Sequence, residues 1–254
     1  MFGRSLRVRP GAPSMGTTKA IEPGLRVYAI GDIHGRLDLL LRLETLIAED
    51  LATSEPQSSL LVFLGDYVDR GPESRGVIEY LSNEIRIGDV QVFLRGNHEE
   101  VLLAFLSDAS VLAEWSQFGG LETLYSYGVR PRLPLRPSDF GEFQERLNNA
   151  LPVAHRNFLQ NTRYSFDMNT HYFVHAGVRP GIRLANQKPE DLLWIRDDFL
   201  NSSRPANRVI VHGHTPVVSA ELLPHRINVD TGAYLSGRLT CVVLEGSTRR
   251  IISS

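Results

Sequence analysis

From Leu25 onward, short apolar runs alternate with amphipathic segments, the pattern of strands layered with helices in an α/β fold. Val27-Tyr28-Ala29-Ile30, ended by Gly31, predicts a buried strand. Leu39, Leu40, Leu43, Leu46 and Ile47 then recur at helical spacing, with Arg42, Glu44 and Glu49 on the other side. The unit repeats: Leu60 to Leu64 predicts a strand and Val77 to Ile85 a helix. Val90 to Leu94 predicts a third strand, followed by a helix from about Glu99 to Leu106. Further strands are predicted at Tyr172 to Val174, Val209 to Val211, Ile227 to Val229 and Leu239 to Leu244. Between these groups, from about Asp108 to Arg163, the apolar residues Trp115, Phe118, Leu121, Leu124, Phe140, Phe143, Leu147, Phe158 and Leu159 stand at mostly helical spacings. They predict a helical insertion, about residues 108–163, packed beside the site, with Trp115 and Phe118 in its own core.

The strands end in polar turns, where α/β proteins gather ligand sites. Five pieces stand out: Gly31-Asp32-Ile33-His34-Gly35, Gly65-Asp66-Tyr67-Val68-Asp69-Arg70-Gly71, Gly96-Asn97-His98-Glu99, His175-Ala176-Gly177 and Gly213-His214-Thr215. A lone Asp-x-His is an ordinary turn. Five ordered pieces after five strands imply one site. Carboxylate, carboxamide and imidazole donors suit two divalent ions, manganese first and iron or zinc next, and the absence of clustered thiolates excludes a structural zinc site. Two ions roughly 3.5–4 Å apart need a shared carboxylate. Asp66 is the natural bridge, with Asp32 and His34 completing one metal and Asn97, His175 and His214 the other. Water between two cations is acidified into a nucleophile for in-line attack on phosphorus. His98 is then the expected general acid, oriented by Asp69. Arg70, Arg95 and Arg196 are the expected phosphate-binding groups.

Other histidines fit blander roles: His212 in packing or support of the site, and His155, His171 and His225 as surface or core residues. Asp230 suits either a strand-end turn or support of the site from behind.

Composition narrows the partners. A formal charge of −2 over 254 residues offers no phosphate-tracking surface, so neither nucleic acid nor membrane is an expected partner. Cys241 is the single cysteine; it has no internal disulfide partner and reads as a small buried hydrophobe. No run approaches the ~20 apolar residues of a membrane span, which makes a cytoplasmic location the expectation. Arg4, Arg7, Arg9 and Lys19 precede the first acid, Glu22, among prolines and glycines, so residues 1–24 read as a flexible basic tail before a single domain at 25–254.

The five pieces resemble the signatures of the phosphoprotein phosphatase family of calcineurin-like metallophosphoesterases. The resemblance covers roughly Val27 to Gly246. Gly119 to Gly128, Trp194 to Leu200 and Val229 to Gly237 are similar to its bacterial and phage branch. It implies two packed β-sheets flanked by helices, a dinuclear centre on Asp32, His34, Asp66, Asn97, His175 and His214, the acid pair His98 and Asp69, and phosphate contacts from Arg70 and Arg95, with Arg196 matched through the phage-like branch alone. The activity implied is hydrolysis of phosphoserine and phosphothreonine in a phosphorylated protein or peptide by direct attack of a metal-bridging hydroxide. A symmetrical diadenosine polyphosphate hydrolase on the same centre is the rival reading; Asp69, and Glu99 after His98, favour the protein phosphatase. Pro216, standing where wider-superfamily nucleases place a second histidine, disfavours a nuclease, and the complete ligand set disfavours a silent scaffold.

Overall fold

A computed structural model describes residues 20–53, 56–84, 87–168, 170–203 and 206–254. The first sheet opens with three parallel strands, β1 (Leu25–Ile30), β2 (Ser58–Phe63) and β3 (Val90–Phe93). The chain next builds a second sheet from β4 (Ser165–Met168), β5 (His171–Val174), β6 (Val209–His212), β7 (Glu221–Leu222) and β8 (Arg226–Asn228), in the order β4-β5-β6-β8-β7. It returns to the first sheet as β9 (Thr240–Glu245) and β10 (Thr248–Ser253), giving the order β10-β9-β1-β2-β3.

Side-chain alternation along the strands builds the layers. Val27 and Ala29 of β1 join Val62, Phe173, Val211 and Ile227 in an apolar cluster between the two sheets. Tyr28 and Ile30 turn the other way, onto Leu40, Leu43 and Ile47 of α1 (Leu37–Thr53). The outer face of the second sheet, with Tyr172, Val174 and Ile210, is covered by Leu192, Ile195 and Phe199. The result is helices, sheet, sheet, helices, which is the predicted class.

After α2 (Ser74–Glu79) and α3 (Asn97–Phe105), the insertion contributes α4 (Leu112–Trp115), α5 (Gly120–Ser126), α6 (Phe140–Ala150) and α7 (Val153–Asn161). Its apolar residues Trp115, Leu124, Phe143, Leu147 and Leu159 enter the same cluster as α1 and β1, so the insertion shares the main core. Three short helices complete the chain: α8 (Pro189–Trp194), α9 (Asp197–Leu200) and α10 (Ala233–Ser236).

Three strands escaped the hydrophobic pattern. β4 and β10 are edge strands with half-buried or exposed residues, and β7 has two residues. Edges of this kind lack the apolar run that marks a central strand. The helix expected over Val77 to Ile85 starts earlier and changes to a π-helical turn at Tyr80–Glu84; Ile85 lies outside the described residues. The basic segment of residues 1–19 also lies outside them, but the tail boundary at 24 is corrected. Ile21 is buried in the inter-sheet cluster and its amide donates to Gly246 O at 2.7 Å, so the folded body begins before Leu25. No helix among the described residues is long and apolar enough to cross a membrane.

The layering makes a stability prediction. Leu43 and Leu41 lie on the same helix, one fully buried and the other 41% exposed. Leu43→Ala should cost about 2–5 kcal/mol in urea unfolding, and Leu41→Ala about 0.5 kcal/mol or less; equal losses would refute the helix orientation.

Candidate active site

All five polar pieces meet at the carboxyl ends of the parallel strands. The turns there are sharp: His34, Asp66, Asp69, Arg70 and His214 are the non-glycine residues with positive φ among the described residues, at 46°, 53°, 71°, 67° and 64°. Each such residue carries a conformational cost of order 1–3 kcal/mol, which surrounding contacts must offset. Glu99 supplies part of that offset. Its buried carboxylate accepts the amides of Asp66 (2.8 Å), Tyr67 (2.7 Å), Val68 (3.3 Å) and Gly96 (2.9 Å). Glycine is required where backbone meets carboxylate: a Cβ at Gly96 would lie 2.1 Å from Asp66 Oδ1, and one at Gly213 would lie 2.1 Å from Asp32 Oδ1.

Asp66 faces two ways. Its Oδ2 is 3.5 Å from His34 Nε2 and 3.8 Å from His98 Nε2, while Oδ1 is 3.4 Å from His175 Nε2. On that second side Asn97 Oδ1 lies 2.9 Å from both His175 Nε2 and His214 Nδ1, and the two ring nitrogens are 3.1 Å apart. Thus Asp66 belongs to two groups, one with His34 and His98 and one with His175 and His214, whose ligand atoms lie within 4.8 Å of one another. Donor separations near 3 Å are those of atoms sharing an ion at about 2.0–2.2 Å. Tautomers agree: His34 Nδ1 donates to Val68 O at 2.8 Å and His175 Nδ1 to Leu64 O at 2.9 Å, which leaves each Nε2 lone pair aimed at Asp66. The donor set therefore fits a dinuclear metal site.

Electrostatics point the same way. Burial, then the neighbouring His98 charge, push His34 down to about 3, and burial also lowers His175 and His214, which favours the neutral form that a metal would require of a ring. Burial acts to raise Asp66, but His175, His98, His34 and His214 hold it well below the usual carboxylate range. Asp32 is pushed well up by burial, then by Asp230 and Asp66. Its carboxylate accepts the His214 amide at 3.0 Å. Burial raises Asp230 to about 6, and its Oδ1 caps Gly232 N at 2.8 Å. Three buried carboxylates thus crowd one low-dielectric space, which bound cations would neutralise.

His98 is set apart by its partner. Its Nδ1 is 2.7 Å from Asp69 Oδ2, which also accepts the Trp115 indole N–H at 2.8 Å, while Asp69 Oδ1 accepts the Thr123 hydroxyl at 2.6 Å. Burial disfavours the imidazolium, but Asp66 and Asp69 outweigh it and raise His98 to about 9. The insertion thereby reaches into the chemistry, since Trp115 and Thr123 both hold Asp69. Nothing in the spacing of those two residues announces it. Phe118, expected in the insertion core, instead lies half-buried with its ring 6.5 Å from that of His98.

The three arginines divide. Arg70 is half-buried, its Nε is unpartnered, and its guanidinium lies 4.6 Å over the Tyr234 ring and donates to the Tyr234 hydroxyl. Arg196 is exposed, and its charge reaches His175, His214 and Asp230. Arg95 corrects its sequence reading as a phosphate binder. Its donors go to Thr162 Oγ1 (3.0 Å), Glu100 Oε2 (2.9 Å), Tyr164 OH (3.3 Å), Leu159 O (3.2 Å) and Gln160 O (3.0 Å). With five donors engaged, Arg95 clamps the turn before α3 to the end of α7. His212 turns its ring edge to Phe199 and its Nδ1 to Gly213 O, a packing role. His155 is buried between Tyr127 and Glu79, and Cys241 is buried.

If Asp66 joins both ligand groups, Asp66→Asn should lose both tightly held ions, measured by elemental analysis after gel filtration. Retention of two ions per chain would contradict the shared carboxylate. Asp69→Asn should shift the alkaline limb of the rate profile to lower pH, because His98 loses an anion that holds its proton; an unmoved limb would separate Asp69 from His98.

Comparison with known proteins agrees with this geometry. The family model for calcineurin-like phosphoesterases matches residues 25–239. The chain is 29% identical over 226 residues to an asymmetrical bis(5'-nucleosyl)-tetraphosphatase of Bacillus cereus, covering 84% of this chain and 88% of the relative. A relative of the same name from Halalkalibacterium halodurans is 26% identical over 230 residues, 84% of this chain and 87% of its own. Among solved structures, a candidate diadenosine tetraphosphatase aligns at a TM-score of 0.62 and 19% identity, covering 90% of this chain and 93% of its own. A cold-active protein tyrosine phosphatase of a Shewanella species aligns at 0.52 and 19%, over 92% and 83% of the two chains. With the family model spanning most of the chain and the strand-end turns gathered around Asp66, this protein belongs to the calcineurin-like phosphoesterases.

Proposed function

We propose that this phosphoesterase hydrolyses bis(5'-nucleosyl) tetraphosphates, using two divalent cations, with manganese the first to test. The similarity to tetraphosphatases over 84% of the chain carries the substrate class. The argument that favoured phosphoprotein over dinucleotide weakens at Glu99. That carboxylate faces the backbone of the Asp66 turn, so the residue after His98 speaks to the scaffold and not to the substrate.

Bound cations supply Lewis-acid stabilisation of the phosphoryl group and activation of water. The chain's own residues do the rest. Arg70 and Arg196 offer donors to phosphate oxygens. His98, kept protonated by Asp69, gives its proton to the departing oxygen. Trp115 and Thr123 fix the Asp69 carboxylate, and with it the direction of the imidazole.

A second reading, hydrolysis of phosphoserine and phosphothreonine in proteins, is favoured by this same acid pair. A serine alkoxide departs poorly without a proton, whereas a phosphate leaving an anhydride needs one less. The two readings part in a direct comparison of kcat/KM for diadenosine tetraphosphate and a phosphoserine peptide with the manganese-loaded enzyme. Preference for the dinucleotide is expected; turnover of the peptide alone would overturn the first reading in favour of the second. His98→Asn should slow peptide hydrolysis by about two to four orders of magnitude and dinucleotide hydrolysis by less. Equal losses would remove His98 from the acid role.

A further inference from the structure

Two aromatic side chains at the site mouth have no part in the metal-binding scaffold. Trp194 closes α8, is 39% exposed, and sets its ring 6.3 Å from that of His214 at 84°. Phe118 is 6.5 Å from Trp194 and the same distance from His98. Together they bridge from the acid, His98, to a ligand of the second group, His214.

Phe118 is held in place. Phe118 follows Trp115, which Asp69 anchors, and precedes Gly119, whose carbonyl accepts the Arg70 amide at 3.1 Å. A Cβ at Gly119 would lie 2.7 Å from Arg70 N, so the turn that carries Phe118 is pressed against the phosphate-binding turn. Trp194 stands two residues before Arg196, whose carbonyl accepts the Phe199 and Leu200 amides while its exposed guanidinium makes no hydrogen bond among the described residues. An aromatic wall and a free guanidinium therefore share one rim of a buried, polar centre, which is the combination that receives a planar base joined to phosphates.

We propose that Phe118 and Trp194 form a nucleobase platform that sets where the polyphosphate chain is cut. This deepens the dinucleotide reading and rests on it. A base stacked on rings that lie 6.5 and 6.3 Å from those of His98 and His214 would be joined to the reacting bond by a short linker, which in this proposal is one ribose-phosphate unit. The bond presented is then the anhydride between the α- and β-phosphates. Water adds its oxygen to one of those phosphorus atoms, the bridging P–O bond breaks, and the departing phosphate oxygen keeps the bonding pair and takes the His98 proton, while the water's proton passes to solvent. One nucleoside monophosphate and one nucleoside triphosphate result. A base seated farther out would instead present the central bond and give two diphosphates.

The test uses the manganese-loaded full chain and its variants Trp194→Ala, Trp194→Phe and Phe118→Leu, with diadenosine tetraphosphate and, as a substrate without a base, inorganic tripolyphosphate. In Trp194→Ala the ratio of kcat/KM for the dinucleotide to that for tripolyphosphate should fall roughly 5- to 100-fold, the range for loss of one stacked base. The loss should lie mainly in KM, Trp194→Phe should restore much of it, and diphosphate should appear among the products. Indole fluorescence gives a readout apart from turnover: a non-hydrolysable methylene analogue should quench the wild type and not Trp194→Phe, because Trp115 is buried. An unchanged ratio with unchanged products, or an equal fall on both substrates, overturns the platform while the dinucleotide reading stands. A wild type that turns over tripolyphosphate but not the dinucleotide overturns both.

Discussion

The constraint on which this structure turns is the burial of like charges. Asp32, Asp66 and Asp230 are each at most 2% exposed, and Asp32 and Asp230 are pushed upward by burial and by their carboxylate neighbours. The His34, His175 and His214 rings and the Asn97 carboxamide add lone pairs around them, and a few backbone amides offset only part of the charge. Such a cluster is unfavourable by itself in a low-dielectric interior. It becomes favourable when divalent charge enters. Asp66 turns one oxygen toward His34 and the other toward His175, so ions held by the two groups would flank a single carboxylate.

Holding the cluster together takes most of the fold. Parallel strands deliver the turns to one edge, and the inter-sheet core fixes the two sheets against each other. Among the described residues, positive φ at non-glycine positions falls on five residues of the site, where Glu99 and the close-packed glycines over-determine the turns. The insertion adds a second function to its packing. Trp115 and Thr123 bind Asp69, so the imidazole of His98 is held through Asp69 from outside the strand-end turns, and Phe118 carries the same segment to within 6.5 Å of that ring.

What could be read from the amino-acid order follows from how local each interaction is. The central strands and α1 announce themselves because their apolar periodicity is a property of consecutive residues. The gathering of Asp32, His34, Asp66, Asn97, His175 and His214 in one place was legible because each sits in a turn beside a glycine after an apolar run. Edge strands β4, β7 and β10 lacked that signal. The roles of Trp115, Thr123 and Tyr234 were hidden, since their hydrogen bonds span 46, 54 and 164 positions. Arg95 was misread for the same reason: its partners Thr162 and Tyr164 lie 67 and 69 residues away, and local context showed an arginine beside the site without showing that its donors were taken.

Anomalous diffraction at the manganese edge from crystals grown with that ion tests the central claim most directly. Two peaks roughly 3.5–4 Å apart, one against each oxygen of Asp66, are the predicted result. A single peak, or a pair that does not share Asp66, would contradict it.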